Sequence, residues 1–299
     1  MHRKAFLRNT GLTIAGLALF NKQMAAAFFN QPAWKIKMLT DDIGIFTERG
    51  GTIAFYISKK GIVVVDAQFP DQSQHLIDEL KKKSEKPFTL LINTHHHGDH
   101  TAGNISFKGL VQHVLAHANS LVNQKAVAEK SKTEDKQLYP DQTYTDTRTE
   151  KIGKEKIKLH YFGAGHTNGD SLVHFQHANI VHMGDLVFNR RHPFVDKSAG
   201  AHMGNWIEVL DKAVTTFDTK TQFICGHSGD GYDVVANADD LKAFGDYLSK
   251  VLQFVEGEIK AGKTKDDIIK AKAIPGTDQW KGDGINRPLE AAYTELTVK

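Results

Sequence analysis

Four side chains able to bind a metal, His95, His97, Asp99 and His100, crowd the run Thr94-His95-His96-His97-Gly98-Asp99-His100. Neutral imidazole nitrogen and anionic carboxylate oxygen together suit zinc, and suit iron or manganese less well. The apolar stretch Phe88-Thr89-Leu90-Leu91-Ile92-Asn93 just before them reads as a strand. A strand that ends in ligands fixes the backbone from which they converge. A solvated histidine-rich tract would explain this cluster but nothing further along the chain. Three more ligand-type residues follow, each beside a glycine at the expected end of a strand. They are His166 in Gly165-His166-Thr167-Asn168-Gly169-Asp170, Asp185 in Met183-Gly184-Asp185-Leu186, and His227 in Cys225-Gly226-His227-Ser228. Gly98, Gly165, Gly184 and Gly226 are expected to let the chain turn tightly without a Cβ near the metals.

From about Ile43 to His227 the chain resembles the metallo-β-lactamase superfamily, on the residues just named. The resemblance implies that His95, His97 and His166 hold one metal and that Asp99, His100 and His227 hold a second. Asp185 would bridge the two, and the expected cofactor is two zinc ions. The implied fold is α/β, a four-layer αββα sandwich. Asp66, at the end of the strand Ile62-Val63-Val64-Val65, matches a further aspartate of the family. Its expected role is to orient a ligand histidine by hydrogen bonding. In the implied reaction a zinc-bound water, its pKa lowered from about 15.7 to about 7, supplies hydroxide that attacks a carbonyl. Asp99 and Asp185 are the expected catalytic carboxylates.

The superfamily acts on β-lactams, thioesters, lactones, phosphodiesters and sulfur compounds, so fold and metals do not name a substrate. The best-known β-lactamases of the family place cysteine where Asp185 stands and lysine where Phe188 stands. Recognition of a β-lactam carboxylate by that lysine is therefore not expected. Another lactamase subgroup with the same outer ligands keeps β-lactams among the candidates. Glyoxalase II-type thioesterases keep the bridging aspartate and a similar Cys225-Gly226-His227, but the glycine- and arginine-containing segment after the aspartate is missing. Nucleases of the family carry a large inserted domain for which there is no room. The expected function is an exported dinuclear zinc hydrolase that opens an ester, lactone or amide bond. The alternatives are a mononuclear iron persulfide dioxygenase and a glyoxalase II-like thioesterase. Arg190, Arg191, His192 and His202 follow Asp185 on a segment expected to overhang the metals, which makes them candidate contacts to a small-molecule substrate. A solvated loop is the other reading of that segment.

The elements that must carry these residues follow from periodicity. Strands are expected over residues 43–48, 52–58, 61–66, 88–93, 157–162, 172–176, 180–183 and 221–225. Helices are expected over 71–84, with Leu76, Ile77 and Leu80 on one face, and over 118–130, 206–217, 241–261 and 265–273. The charged stretch 131–149 reads as loop or a covering segment. Hydrophobic residues at 40% and charged residues at 24% describe an ordinary globular chain, and residues 30–299 read as one catalytic domain.

The net charge of +3 comes from the N-terminus, because residues 1–27 hold Arg3, Lys4, Arg8 and Lys22 and no acid. The remainder carries 3 − 4 = −1, which gives no electrostatic case for nucleic acid. Residues 1–27 read as a cleaved export signal: a basic start, an apolar run from Gly11 to Phe20, and Ala25-Ala26-Ala27. Arg3-Lys4 resembles a twin-arginine signal with lysine as its second base, so both the twin-arginine and the general route stay open. The expected location is periplasmic or secreted, with no lasting membrane insertion, because the run is short for a span. No pattern points to a protein partner. The single Cys225 excludes an intrachain disulfide and reads as a small buried strand residue.

Overall fold

Strands apolar on both faces must be covered on both sides, and that requirement sets the layers of this fold. The computed structural model describes residues 33–298, so the expected export signal at 1–27 lies outside the described residues. Among the described residues two sheets form. The first runs in the order β1 (Lys35–Met38), β2 (Ile43–Thr47), β3 (Ile53–Ser58), β4 (Gly61–Val65), β5 (Phe88–Asn93), β6 (Val111–His117) and β7 (Gln142–Tyr144). The pairs β2–β3 and β3–β4 are antiparallel, and those from β4 to β7 are parallel. The second sheet contains β8 (Thr147–Ile152), β9 (Glu155–His160), β10 (Leu172–Phe175), β11 (Ile180–Asn189), β12 (Gln222–Ser228) and β13 (Val235–Ala236). Its spatial order is β13-β12-β11-β10-β9-β8, and only β11–β12 is parallel among the pairs formed there.

Parallel neighbours need crossovers, and helices supply them. Helix α1 (Pro70–Lys83) links β4 to β5, and the short α2 (Gly98–Thr101) leads from β5 towards β6. Helix α3 (Ala118–Ser131) follows β6, and α4 (Met203–Thr216) links β11 to β12. The chain ends with α5 (Ala238–Lys260), α6 (Lys265–Ile268) and α7 (Asn286–Thr297).

Side chains alternate across each strand, so each sheet feeds two apolar layers. Val63 and Val65 of β4, Leu90 and Ile92 of β5, Val173 and Phe175 of β10 and Ile224 of β12 meet between the sheets. Val181 and Met183 of β11 and Phe223 and Cys225 of β12 face outward, against Trp206 and Leu210 of α4, Phe244 and Leu248 of α5 and Leu289 of α7. On the outer face of the first sheet Ile62, Val64 and Leu91 are fully buried, as are Leu76, Ile77 and Leu80 of α1. The result is the expected αββα order. Among the described residues no helix is long and apolar enough to cross a membrane.

The structure departs from the sequence expectation in the polar edges. The stretch 131–149, expected as loop, contains β7 and the start of β8. The run Thr-Arg-Thr-Glu-Lys-Ile of β8 lies at a sheet edge with no fully buried residue, so its charges hide the strand while protecting that edge. The strand expected to end at Met183 continues to Asn189, and the helix expected over 265–273 is only Lys265–Ile268.

Trp206 ties this outer layer to the ends of the strands. It is fully buried, its indole nitrogen donates to the Leu186 carbonyl at 3.0 Å, and its ring lies 5.6 Å from that of His166. Trp206→Phe leaves that carbonyl without its donor and removes packed volume. We expect a loss of about 1–3 kcal/mol in urea unfolding. An unchanged midpoint would mean that the indole contributes nothing there.

Candidate metal centre

The candidate ligands come from both sheets, most of them at or just beyond a strand end. Asn93 ends β5, and the backbone then carries His95 to His100 through the turn into α2. His227 is near the end of β12, whereas Asp185 lies inside β11. The β11–β12 register shifts between His182 and Gly184 and again between Gly184 and Phe188. Bulges re-aim side chains, and this one brings Asp185 to the cluster. The seven residues named from the sequence gather in two groups, His95, His97, His166 and Asp185, and Asp99, His100 and His227. Within each group one ligand atom per residue lies within 4.8 Å of the others.

Outer hydrogen bonds fix which nitrogen of each ring carries its proton. The Phe194 carbonyl can only accept, so His166 Nδ1 donates to it at 2.8 Å and Nε2 keeps its lone pair. Asp196 Oδ2 accepts from His97 Nε2 at 2.9 Å, which leaves the lone pair on Nδ1. Thr94 Oγ1 donates to Asp66 Oδ2 at 2.8 Å and so accepts from His95 Nδ1 at 3.1 Å. Three lone pairs therefore converge, with His97 Nδ1 at 3.0 Å from His95 Nε2 and 2.8 Å from His166 Nε2. Bare lone pairs at that distance repel, and a cation reverses the sign. Zinc–nitrogen bonds of about 2.0–2.1 Å in a tetrahedron separate ligands by about 3.3 Å, so the donor set fits. Asp185 Oδ2 stands 3.5 Å from His166 Nε2 and 3.9 Å from His95 Nε2.

The other group meets the same carboxylate. Asp66 Oδ2 accepts from His100 Nδ1 at 2.7 Å, which turns His100 Nε2 towards Asp185 Oδ1 at 3.0 Å. Both of these atoms are buried, and neither makes a hydrogen bond although they stand 3.0 Å apart. A cation between them would satisfy both. His227 Nε2 lies 3.1 Å from Asp99 Oδ2 and 3.4 Å from Asp185 Oδ2. Asp66 is fully buried with φ of 65°, a left-handed conformation that costs a non-glycine residue free energy and often marks a functional site. Its other oxygen accepts from the Thr94 backbone N–H at 2.8 Å.

Electrostatics differ between the groups. Burial holds His95 well below the usual imidazole range and pushes His166 down to about 3. Burial also opposes charge on His100 and His227, but there the facing carboxylates win. Asp185 and Asp66 raise His100 well above its usual value, and Asp185 with Asp99 pushes His227 up to about 9. Burial would raise Asp185, yet His227 and His100 hold it well below the carboxylate range.

Asp196 and the Phe194 carbonyl were not legible in the sequence, since neither stands in a motif. His96 sits behind the ligands, with Nε2 3.5 Å from Asp196 Oδ2. Among the candidate substrate contacts, Arg190 turns to Gln279 at 2.8 Å and stacks over Trp280, and His192 Nδ1 meets the Tyr247 hydroxyl at 2.8 Å. His202 caps α4 by accepting from the Asn205 N–H. Arg191 lines a cavity of about 780 Å³ with Ser228, Gly229, Tyr232 and Lys281, beginning one residue beyond His227. Phe188 is buried and stacks on the His227 ring at 5.4 Å.

Gly226 and Gly51 lie directly against candidate ligands. A Cβ on Gly226 would stand 1.9 Å from Asp185 Oδ1, and one on Gly51 would stand 2.1 Å from His100 Cε1. Gly98 differs from expectation: a Cβ there would meet nothing within 4 Å, because the turn into α2 points that position away from the cluster.

A family model described as "Metallo-beta-lactamase superfamily" matches residues 47–227. The chain is 26% identical over 190 residues to "Metallo-beta-lactamase IND-1" of Chryseobacterium indologenes, covering 62% of this chain and 75% of that one. It is 21% identical over 248 residues to "Metallo-beta-lactamase type 2" of Elizabethkingia meningoseptica, covering 80% and 93%. Among solved structures, metallo-beta-lactamase IND-7 superposes with a TM-score of 0.60 at 22% identity, covering 74% of this chain and all (100%) of that one. A double mutant of the sec-alkyl sulfatase PisA1 superposes with a TM-score of 0.70 at 13% identity, covering 88% of this chain and 50% of that one. At these identities the likeness to solved structures is one of fold.

Gly226→Ala tests the packing around Asp185. It should leave the circular dichroism spectrum native while weakening divalent-cation binding about 10–100-fold, the range for disturbed ligand support. Wild-type metal retention by the variant would show that Asp185 does not need this clearance.

Proposed function

The chain belongs to the metallo-beta-lactamase superfamily, and from that premise we propose that it is an exported hydrolase holding two zinc ions. Its substrate carries an ester, lactone or amide bond, with β-lactams among the candidates. The observation that carries this reading is Asp185, whose two oxygens face both histidine groups within 3.9 Å. A single-iron oxygenase gives no account of the buried His100 Nε2 and Asp185 Oδ1, which lack hydrogen bonds and would be satisfied by a second cation. In the proposal His95, His97 and His166 hold one ion, Asp99, His100 and His227 hold the other, and Asp185 lies between. Export rests on the N-terminal pattern in residues 1–27.

When bound, the two ions supply Lewis-acid chemistry, acidifying water and offsetting negative charge that develops on the carbonyl and leaving group. The chain's own residues then orient and exclude. Asp99 is the most open of the seven, with its side chain 31% exposed, so its carboxylate is placed to accept a proton from the attacking water and return it to the leaving atom. His97 is also partly open, and the Phe194 ring, 42% exposed, stands 5.4 Å from it as an apolar wall for the substrate. The cavity beyond His227 is the natural receiver for a polar substrate portion, with Arg191 at its side. Phe188, packed on His227, leaves no cation at that position to hold a carboxylate.

The purified chain with two zinc ions should hydrolyse at least one of a chromogenic cephalosporin, a lactone and a simple ester, and a chelator should abolish the activity. Asp185→Ala should lose at least about 100-fold in kcat and release one of its two ions. His95→Ala should empty the other position. Wild-type turnover by Asp185→Ala, or unchanged stoichiometry in His95→Ala, would overturn these assignments.

The pKa shifts predict unequal proton release. Metal ligands must be deprotonated. His95 and His166 are already neutral at pH 7, so a cation joining them displaces no proton from either. His227 titrates at about 9 and His100 is likewise raised, so a cation joining them must displace protons at pH 7. Affinity for that second ion should therefore fall as pH drops from 9 to 6, with a smaller change for the first. Calorimetry in buffers of different ionisation enthalpy measures both releases. Equal release at both steps would contradict the assignment.

A further inference from the structure

The loop between β11 and α4 supplies two of the hydrogen bonds that aim the first histidine group. The Phe194 carbonyl holds His166, and the Asp196 carboxylate holds His97. The loop is itself held at two levels. Near the cluster, Asp196 Oδ1 accepts from the Ala199 N–H at 3.1 Å and from the Ser198 hydroxyl, and the Ala199 carbonyl accepts from the Asn168 N–H at 2.8 Å. At its far end a single carboxylate gathers the chain. Glu295, on α7, accepts from Lys197 Nζ at 2.9 Å and the Met203 N–H at 2.8 Å through Oε2, and from the Gly204 N–H at 3.0 Å through Oε1. Lys197 also donates to the Ala201 carbonyl at 2.8 Å, which closes the loop on itself.

Glu295 thus sits at the start of α4, where the unpaired N–H groups and the helix dipole favour a carboxylate. Its side chain is about 10% exposed. Burial would raise its pKa, but the Gly204 and Met203 N–H groups and Lys197 hold it below the usual range, so it is charged at neutral pH. It lies well outside residues 47–227, the part matched by the family model.

We propose that Glu295 is a positioning residue for the His97 and His166 half of the metal centre, acting through Lys197 and the α4 terminus on the loop that carries Phe194 and Asp196. The inference rests on reading the cluster as a two-cation centre. The second group has other supports: Asp66 holds His100, and β12 carries His227. Removing the Glu295 carboxylate therefore relaxes one half of the centre and not the other.

The test is a zinc titration of the metal-stripped full chain against a chromophoric chelator, reading two dissociation constants. The absorption spectrum of the cobalt-loaded protein reports ligand geometry independently of activity. Glu295→Ala should weaken one constant about tenfold and leave the other within about twofold. Glu295→Gln retains an amide oxygen for one N–H and should fall between. Leu80→Ala, a buried truncation on α1, controls for lost stability and should change neither constant. Two unchanged constants and an unchanged cobalt spectrum in both Glu295 variants would overturn the proposal. Equal weakening of both sites, matched by Leu80→Ala, would overturn it too, by reducing Glu295 to a contributor to global stability. If Glu295→Ala does not fold, Glu295→Gln alone decides between these outcomes. A wild-type chain that binds fewer than two ions would sink the two-cation reading itself, and that failure shows before any variant is made.

Discussion

The His97 Nδ1 lone pair, forced to within 3.0 Å of the lone pairs of both His95 and His166, is the constraint on which the site depends. Nothing in the three rings themselves requires this. The constraint comes from outside them, from a carbonyl, a carboxylate and a threonine hydroxyl that each take the proton of the other ring nitrogen. Had His97 carried its proton on Nδ1, it could have donated to a neighbouring ring and the cluster would have been a hydrogen-bonded group content without a cation. The outer partners remove that option. By fixing tautomers they suit the cluster to a cation, a task the candidate ligand residues cannot perform alone.

Those partners are placed by the joining of the two sheets. Thr94 follows β5 of the first sheet, and its carbonyl accepts from Ser171 N–H, just before β10 of the second, at 2.7 Å. Thr52, before β3, donates through both its N–H and its hydroxyl to the Gly226 carbonyl on β12, at 2.9 and 3.1 Å. The ligand-bearing ends are thus tied across the sandwich beside the ligands themselves. Asp66 sits where these ties meet, in a strained backbone conformation, and takes hydrogen bonds from Thr94 and His100 together. One carboxylate thereby sets the orientation of histidines in both groups, His100 directly and His95 through Thr94. The apolar layers provide the rigidity that keeps so much buried polarity in register.

The seven candidate ligands were legible because their types are rare and their spacing is short. Four stand within His95 to His100, and each of the others adjoins a glycine: Gly165 and Gly226, which packing demands, and Gly184, where the backbone turns to positive φ. The central strands were legible for the same local reason, namely unbroken apolar runs. What failed to show was set by distant partners. Asp196 is an ordinary aspartate until the fold brings it 99 residues back to His97. Strand β8 looks like loop because an edge strand need not alternate apolar residues. The apolar run predicts a strand that ends at Met183, while in the structure the strand bulges and runs on to Asn189. In each case the deciding interaction lies outside any window that periodicity can scan.

The bulge also bears on what the site can select. Beyond Asp185 the strand places Phe188 against His227 and Trp206, so the position nearest the second histidine group is apolar and filled. The arginine side chains stand further out. Arg190 is bound to Gln279 and Asp240, and Arg191 pairs by its backbone with Lys281 across the cavity wall. On the proposed reading, a substrate over the cluster would meet the Phe194 ring beside His97 and the open Asp99 carboxylate, with the arginines standing further out. On the proposed hydrolase reading, that order would favour a compact apolar acyl portion and work against substrates that need a cation directly beside the cluster. Selectivity in this chain would then come from the segments flanking the ligand-bearing strands, including a C-terminal stretch that the ligand motifs do not reach.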